Sequence, residues 1–157
     1  MTALMIPQFG AYCGDLAEVE FAQGKRLYEQ KDYTHALAAF DRAARDEPAD
    51  ERFLYWAGKS AGRLAEAAGP LAAFSLARRT RLAFERAYEL NPRNLEVMEA
   101  LAQFYAQAPG FMGGSEAKAQ VLNERIRALK LSTHYHALSL RPPLPATGSL
   151  GGSCLRR

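Results

Sequence analysis

The chain has 157 residues, of which 48% are hydrophobic and 24% are charged, and its net charge is +3. This length fits a single domain with a buried core, and the composition is that of a soluble globular protein. The small positive charge does not predict a nucleic-acid binder, and no apolar run reaches the roughly 20 residues of a membrane-spanning helix.

Residues 1–16 are predicted to form an N-terminal extension. They contain an apolar stretch without a preceding Lys or Arg, whereas a secretory signal begins with a basic region and ends at a small-residue cleavage site. The sequence therefore predicts a cytoplasmic protein, with a periplasmic one as the alternative if an export signal is missing or altered. Cys13 and Cys154 lie near opposite ends, and their spacing predicts neither a metal site nor a disulfide framework.

The following segment contains a pattern that occurs twice: a glycine, a phenylalanine, an alanine and a proline. The paired positions are Gly24 and Gly58, Phe40 and Phe84, Ala43 and Ala87, and Pro48 and Pro92. The glycines are 34 residues apart and the other pairs are 44 apart, so the second copy carries ten extra residues. Apolar residues recur at helical spacing in both halves of each copy, which predicts two helices per copy, the second ended by proline.

A third copy begins at LEVMEALAQFY, where Met98, Leu101, Ala102 and Tyr105 follow the spacing W-x2-L-G-x2-Y, with Met for Trp and Ala for Gly. The first copy contains A-x3-F-x2-A-x4-P from Ala36 onward. Over residues 17–130 the chain thus resembles the tetratricopeptide repeat (TPR) family. The resemblance implies an all-α fold: a right-handed superhelical stack of three antiparallel helix pairs, the second with elongated helices.

The implied TPR domain covers residues 17–140. Its units are residues 17–50, 51–94 and 95–130, followed by the stub of a capping helix at 131–140 and a flexible tail at 141–157. Gly24, Gly58 and Ala102 are small where the first helix of each unit approaches the second, and Ala36 and Ala43 are small on the second helix. Phe40 and Phe84 are expected to fill the space between the paired helices.

The resemblance also implies a concave groove lined by the first helices of successive units. The matching positions are Phe21, Lys25 and Tyr28 in the first unit, Arg52, Tyr55, Lys59 and Arg63 in the second, and Glu99 and Gln103 in the third. Lys25, Lys59 and Arg63 make the centre of this groove basic, which favours a partner that offers an acidic segment or a C-terminal carboxylate. The alternative is a solvated charged face without a ligand. The lysine–asparagine clamp of TPR proteins that bind chaperone tails is absent, because Phe21 and Trp56 occupy its positions.

Other candidate sites favour structural interpretations. The segment ARRTRLAFER predicts either a phosphate-contacting patch or, as we prefer, an ordinary outer face with Glu85 and Glu89 nearby. His35, His134 and His136 lack metal-ligand spacing, and no Ser or Cys has a recognisable base, so we expect no metal, no cofactor and no catalysis.

The segment APGFMGG, residues 108–114, is a glycine-rich turn that precedes a helix. A phosphate-binding loop of the Walker type needs a Lys after its last glycine, and Ser115 stands there instead. We therefore predict a turn inside the third unit, with Ser115 capping the next helix and Phe111 and Met112 folded back onto the repeat. This segment resembles the corresponding one in TPR proteins of bacterial origin, many of which carry export signals.

These features predict a non-catalytic protein–protein interaction module that holds a partner segment in its groove. A self-associating assembly subunit is an alternative, because a short capping stub leaves the last apolar face uncovered. A nucleic-acid-associated helical repeat is a further, less favoured alternative.

The repeat assignment makes Phe40 a core residue. Phe40→Ala is expected to lower the free energy of unfolding by about 3–5 kcal/mol, the usual effect of truncating a buried phenylalanine. Urea unfolding followed by circular dichroism measures this change, and an unaltered transition would contradict the assignment.

Overall fold

A computed structural model describes residues 10–139, with side chains for residues 16–132. The described residues form six α-helices and one short 3₁₀ turn, and no strand. The helices are α1 (Gly10–Glu29), α2 (Tyr33–Asp46), α3 (Glu51–Ala67), α4 (Pro70–Leu90), α5 (Leu95–Gln107) and α6 (Glu116–Ser139), and the 3₁₀ turn is Gly110–Met112. The all-α prediction is confirmed, whereas the tail predicted at 141–157 lies outside the described residues.

Two helix boundaries differ from the sequence-based expectations. Helix α1 begins at Gly10, so residues 10–16 of the predicted extension are helical and continue into the first unit. Helix α6 continues to Ser139, so residues 131–139 prolong it instead of forming a separate capping stub. No proline or glycine interrupts the chain between Lys130 and Ser139, which leaves the helix without a residue that would end it.

Each helix packs against the next one along the chain, and the turns between them recur. Asp50 caps α3 by accepting a hydrogen bond from the Arg52 amide, and Asn94 caps α5 by accepting from the amides of Glu96 and Val97. Pro48 and Pro92 each stand two residues before the capping side chain. The same turn chemistry therefore joins α2 to α3 and α4 to α5.

A close approach of glycine to phenylalanine sets the spacing of two helix pairs. A Cβ added to Gly24 of α1 would lie 2.6 Å from Phe40 Cε1 of α2, and a Cβ added to Gly58 of α3 would lie 2.6 Å from Phe84 Cε1 of α4. Phe40 is fully buried, and Phe84 is nearly so. The phenylalanine ring thus occupies the space that the missing side chain leaves.

The core is divided into two clusters that share α3. The first joins α1, α2 and α3 around the rings of Phe21, Phe40 and Phe53. The ring centroid of Phe21 lies 5.7 Å from that of Phe40 and 5.1 Å from that of Phe53. The second joins α4, α5 and α6, with Ala102, Leu101 and Tyr105 among its members. Tyr55 of α3 packs against the second cluster, with its ring centroid 6.0 Å from that of Phe84.

The turn at residues 108–114 packs against Arg81 of α4, which belongs to a polar network. Arg81 donates to the Glu85 carboxylate at 3.1 Å, and the Tyr105 hydroxyl donates to the same carboxylate at 2.7 Å. Burial and this hydrogen bond raise the pKa of Tyr105 above its usual range. Gly113 has a φ of 97°, and a Cβ there would lie 2.7 Å from the Arg81 side chain, so both the backbone and the space require glycine.

Two side chains of this turn differ from each other in burial. Met112 is half-buried, but Phe111 is 75% exposed, so the expectation that Phe111 folds back onto the repeat is wrong. The 3₁₀ turn directs it outward while the backbone around it is tied down: the Gly114 amide donates to the Pro109 carbonyl, and the Ser115 amide donates to the Tyr105 carbonyl. Ser115 caps α6, because its hydroxyl accepts from the Lys118 amide at 3.4 Å.

The glycine–phenylalanine contact predicts opposite effects of the same substitution at different glycines. Gly24→Ala and Gly58→Ala are each expected to lower the free energy of unfolding by about 1–3 kcal/mol, because the new methyl group would displace a buried ring. Gly62→Ala is the matched control, since its Cβ would lie 3.7 Å from Thr80, an ordinary contact.

At Gly62 the higher helix propensity of alanine is expected to stabilise the protein by up to about 1 kcal/mol. Urea unfolding of the three variants measures the difference. Equal stability of Gly24→Ala and Gly62→Ala would contradict the packing described above.

Candidate functional site

An open groove lies between α3 and α5, with α4 as its floor. Its volume is about 590 Å³, within the range of ligand-binding clefts. Tyr28 of α1 lies at one side, Ala77, Thr80 and Phe84 form the floor, and Pro109 and Met112 of the 108–114 turn lie at one end. The groove therefore combines aromatic, apolar and charged side chains in one concave surface.

Six of the nine predicted groove residues line this space, and three do not. The six are Tyr28, Tyr55, Lys59, Arg63, Glu99 and Gln103. Phe21 is buried against Phe40 and Phe53 and belongs to the core. Lys25 is exposed outside the groove, with its ammonium 5.5 Å from the ring centroid of Trp56.

Arg52, the third predicted residue outside the groove, acts at the α2–α3 turn. Its guanidinium forms ion pairs with Asp50 at 2.6 Å and with Glu18 of α1, and it stacks 5.4 Å from the centroids of Phe21 and Phe53. These contacts hold the start of α3 to α1. Arg52 thus supports the helix that presents Tyr55, Lys59 and Arg63.

Lys59 lies in the groove with its ammonium against three aromatic rings. Its ammonium nitrogen is 4.2 Å from the ring centroid of Trp56, 5.2 Å from that of Tyr55 and 5.5 Å from that of Tyr28. These contacts hold the cation in place, since the face of an aromatic ring attracts positive charge. Burial lowers the pKa of Lys59, and the nearby Glu96 carboxylate opposes this shift.

The groove carries both signs of charge. Arg63 and Lys59 stand on α3, but Glu66 of the same helix pairs with Arg63 at 3.0 Å. Glu96 and Glu99 of α5 also line the space. The expectation of a basic groove therefore needs correction, because it named Glu99 but omitted Glu66 and Glu96, which also line the space.

Two residues important to the site were not among the predicted positions. Trp56 lies beneath Lys59, and its ring also stands 5.2 Å from Tyr28. Glu96 occupies the place in the third unit that Arg52 holds 44 residues earlier in the second. The repeat offset was thus a usable signal for Glu96, whereas the position of Trp56 depends on how α1 and α3 pack.

The arginines of ARRTRLAFER do not form a continuous basic patch. Arg79 pairs with Asp41 of α2, Arg81 pairs with Glu85 at 3.1 Å, and Arg86 pairs with Glu89 at 2.9 Å. Among the described residues only Arg78 of this group forms no ion pair. Carboxylates thus neutralise most of the charge that a phosphate backbone would need.

Neither a membrane-spanning helix nor a match among known proteins indicates what this groove does. In the part of the chain that the structure covers, no helix has the length and apolar character needed to cross a membrane. No protein-family model matches the chain, and a search of curated proteins finds no match. The function is therefore inferred from the groove itself.

Proposed function

We propose that this chain is a non-catalytic interaction module of the TPR type, which binds a segment of another protein in the groove between α3 and α5. The open groove is the observation that carries the proposal: it has aromatic side chains, charged side chains and an apolar floor. Tyrosine, tryptophan and arginine are the residue types that contribute most to binding at protein interfaces.

The repeated packing supports a TPR-type superhelical stack. The Gly24–Phe40 and Gly58–Phe84 contacts have the same geometry, and the turns before α3 and α5 have the same capping chemistry. In such a stack the first helices of the units, here α1, α3 and α5, share the concave side. The groove residues come mostly from these helices, with α4 beneath them.

A cross-linking experiment tests the proposal. A photoreactive benzoylphenylalanine replaces Gln103, which is exposed in the groove, or Gln120, which is exposed on α6. In extracts of the source cells we expect discrete protein adducts from position 103 and not from position 120. Adding Lys59→Glu should reduce these adducts severalfold, because it reverses the charge at the groove centre.

Circular dichroism establishes that each variant keeps the helix content of the parent chain. Adducts of equal yield from both positions, or adducts that Lys59→Glu leaves unchanged, would contradict binding in the groove.

Self-association is a second candidate function, and the outer face of α6 favours it. Val121 is 65% exposed and Leu131 is 57% exposed, and by helical spacing both lie on the side opposite Leu122 and Ile126, which are buried. A second copy that packs on this face would cover apolar surface. Such packing would add the helices of the second copy to the end of the helical stack and would leave the groove open.

Sedimentation equilibrium over a wide concentration range tests this second function. Self-association predicts a mass that rises with concentration, and Val121→Glu is expected to lower it by placing a charge in the contact. Gln23→Glu, which adds the same charge at an exposed position of α1, serves as the control. A monomer mass at every concentration would rule the second function out.

A further inference from the structure

Most charged side chains of the groove are neutralised within the chain, and two are not. Arg63 pairs with Glu66 at 3.0 Å, and Glu99 pairs with Lys130 of α6 at 2.6 Å. Lys59 of α3 and Glu96 of α5 remain, and neither side chain forms an ion pair with any described residue. A bound segment therefore meets one cation and one anion that have no ion-pair partner among the described residues.

Lys59 is the more deeply placed of the two charges. Lys59 is half-buried, and its ammonium is held over the rings of Tyr28, Tyr55 and Trp56, which offer no carboxylate. A partly desolvated cation that lacks an ion-pair partner has lost hydration, and a carboxylate brought to it replaces that lost interaction. This position favours an acidic side chain of the partner.

Glu96 stands on the opposite wall, in the first turn of α5, and is exposed. It is close enough for its charge to act on both Lys59 and the Tyr55 hydroxyl. A partner with only acidic side chains would place a like charge against Glu96, which opposes binding. A basic side chain at this wall would instead form a new ion pair.

The groove also has apolar lining residues, among them Ala77, Phe84, Ala100 and Phe104. A segment lying along the groove therefore gains from apolar side chains as well as from one charged edge toward α3 and another toward α5.

We propose that the groove selects a segment that carries both charges: an acidic side chain against Lys59, a basic side chain against Glu96, and apolar side chains against the apolar lining residues. A purely acidic tail does not satisfy this surface. The inference rests on the proposed function, since it specifies the chemistry of the segment that the groove binds.

Selection from a random peptide library displayed on phage, with the full chain as bait, provides the probe. Peptides that enrich are synthesised with a fluorophore, and their dissociation constants are measured by fluorescence anisotropy. We expect the enriched peptides to carry acidic and basic residues at a regular spacing, together with apolar residues, and to bind less tightly as salt is raised.

Substitutions that reverse the charge of one groove residue then test the α3 side and the α5 side of the groove separately. Lys59→Glu and Glu96→Lys are each expected to weaken binding by about fivefold to tenfold, between the effects of an exposed and a desolvated ion pair. The protein with both substitutions should prefer a peptide whose acidic and basic residues have been exchanged. Arg127→Glu and Glu124→Lys, on an exposed face of α6, are matched controls that should leave binding unchanged.

The milder variants Lys59→Gln and Glu96→Gln repeat the test without reversing a charge, and circular dichroism verifies that all variants remain folded. Enriched peptides that carry only acidic residues, with binding that Glu96→Lys leaves unchanged or strengthens, would overturn this inference and leave the proposed function standing. Peptides whose binding ignores every groove variant, or a library without enrichment, would overturn the proposed function as well.

Discussion

The architecture depends on the close approach of a helix backbone to a phenylalanine ring. At Gly24 and again at Gly58, the absence of a side chain lets the second helix of the pair place its ring directly on the first. A methyl group at either position would meet ring atoms at 2.6 Å, well inside van der Waals contact. This contact brings the paired helices to a fixed distance and leaves the outer side of the first helix available for other residues.

The same packing connects the core to the groove. Helix α3 takes part in both core clusters, through Phe53, Ala57 and Ala61 on one side and through Tyr55 on the other. Lys59 lies between these two faces and projects into the groove over the Trp56 ring. Phe84 meets the backbone at Gly58 and also forms part of the groove floor. Changes in the core and changes in the binding surface are therefore physically linked.

The electrostatic character of the groove is set by which charges find partners inside the chain. Glu66 neutralises Arg63 and Lys130 neutralises Glu99, so the formal charges of the lining residues overstate what a partner meets. At the end of the groove, Arg81 of the Arg81–Glu85–Tyr105 network packs against Gly113, in the turn that contains Met112. Internal pairing thus both shapes the groove and reduces its charge to two side chains on opposite walls.

The sequence by itself determined the helical periodicity, the turns at Pro48 and Pro92, and the small-residue and phenylalanine positions, because these depend on local spacing and on residue size. The resemblance to TPR proteins also indicated six groove positions. Only the tertiary structure decided that Phe21 is core, that Arg52 ties α3 to α1, that Phe111 faces outward and that acidic residues of α5 oppose Lys59. Each of these depends on which side chains from different helices meet in space. The spacing of residues along one helix carries no information about the ion pairs and ring contacts that form between helices.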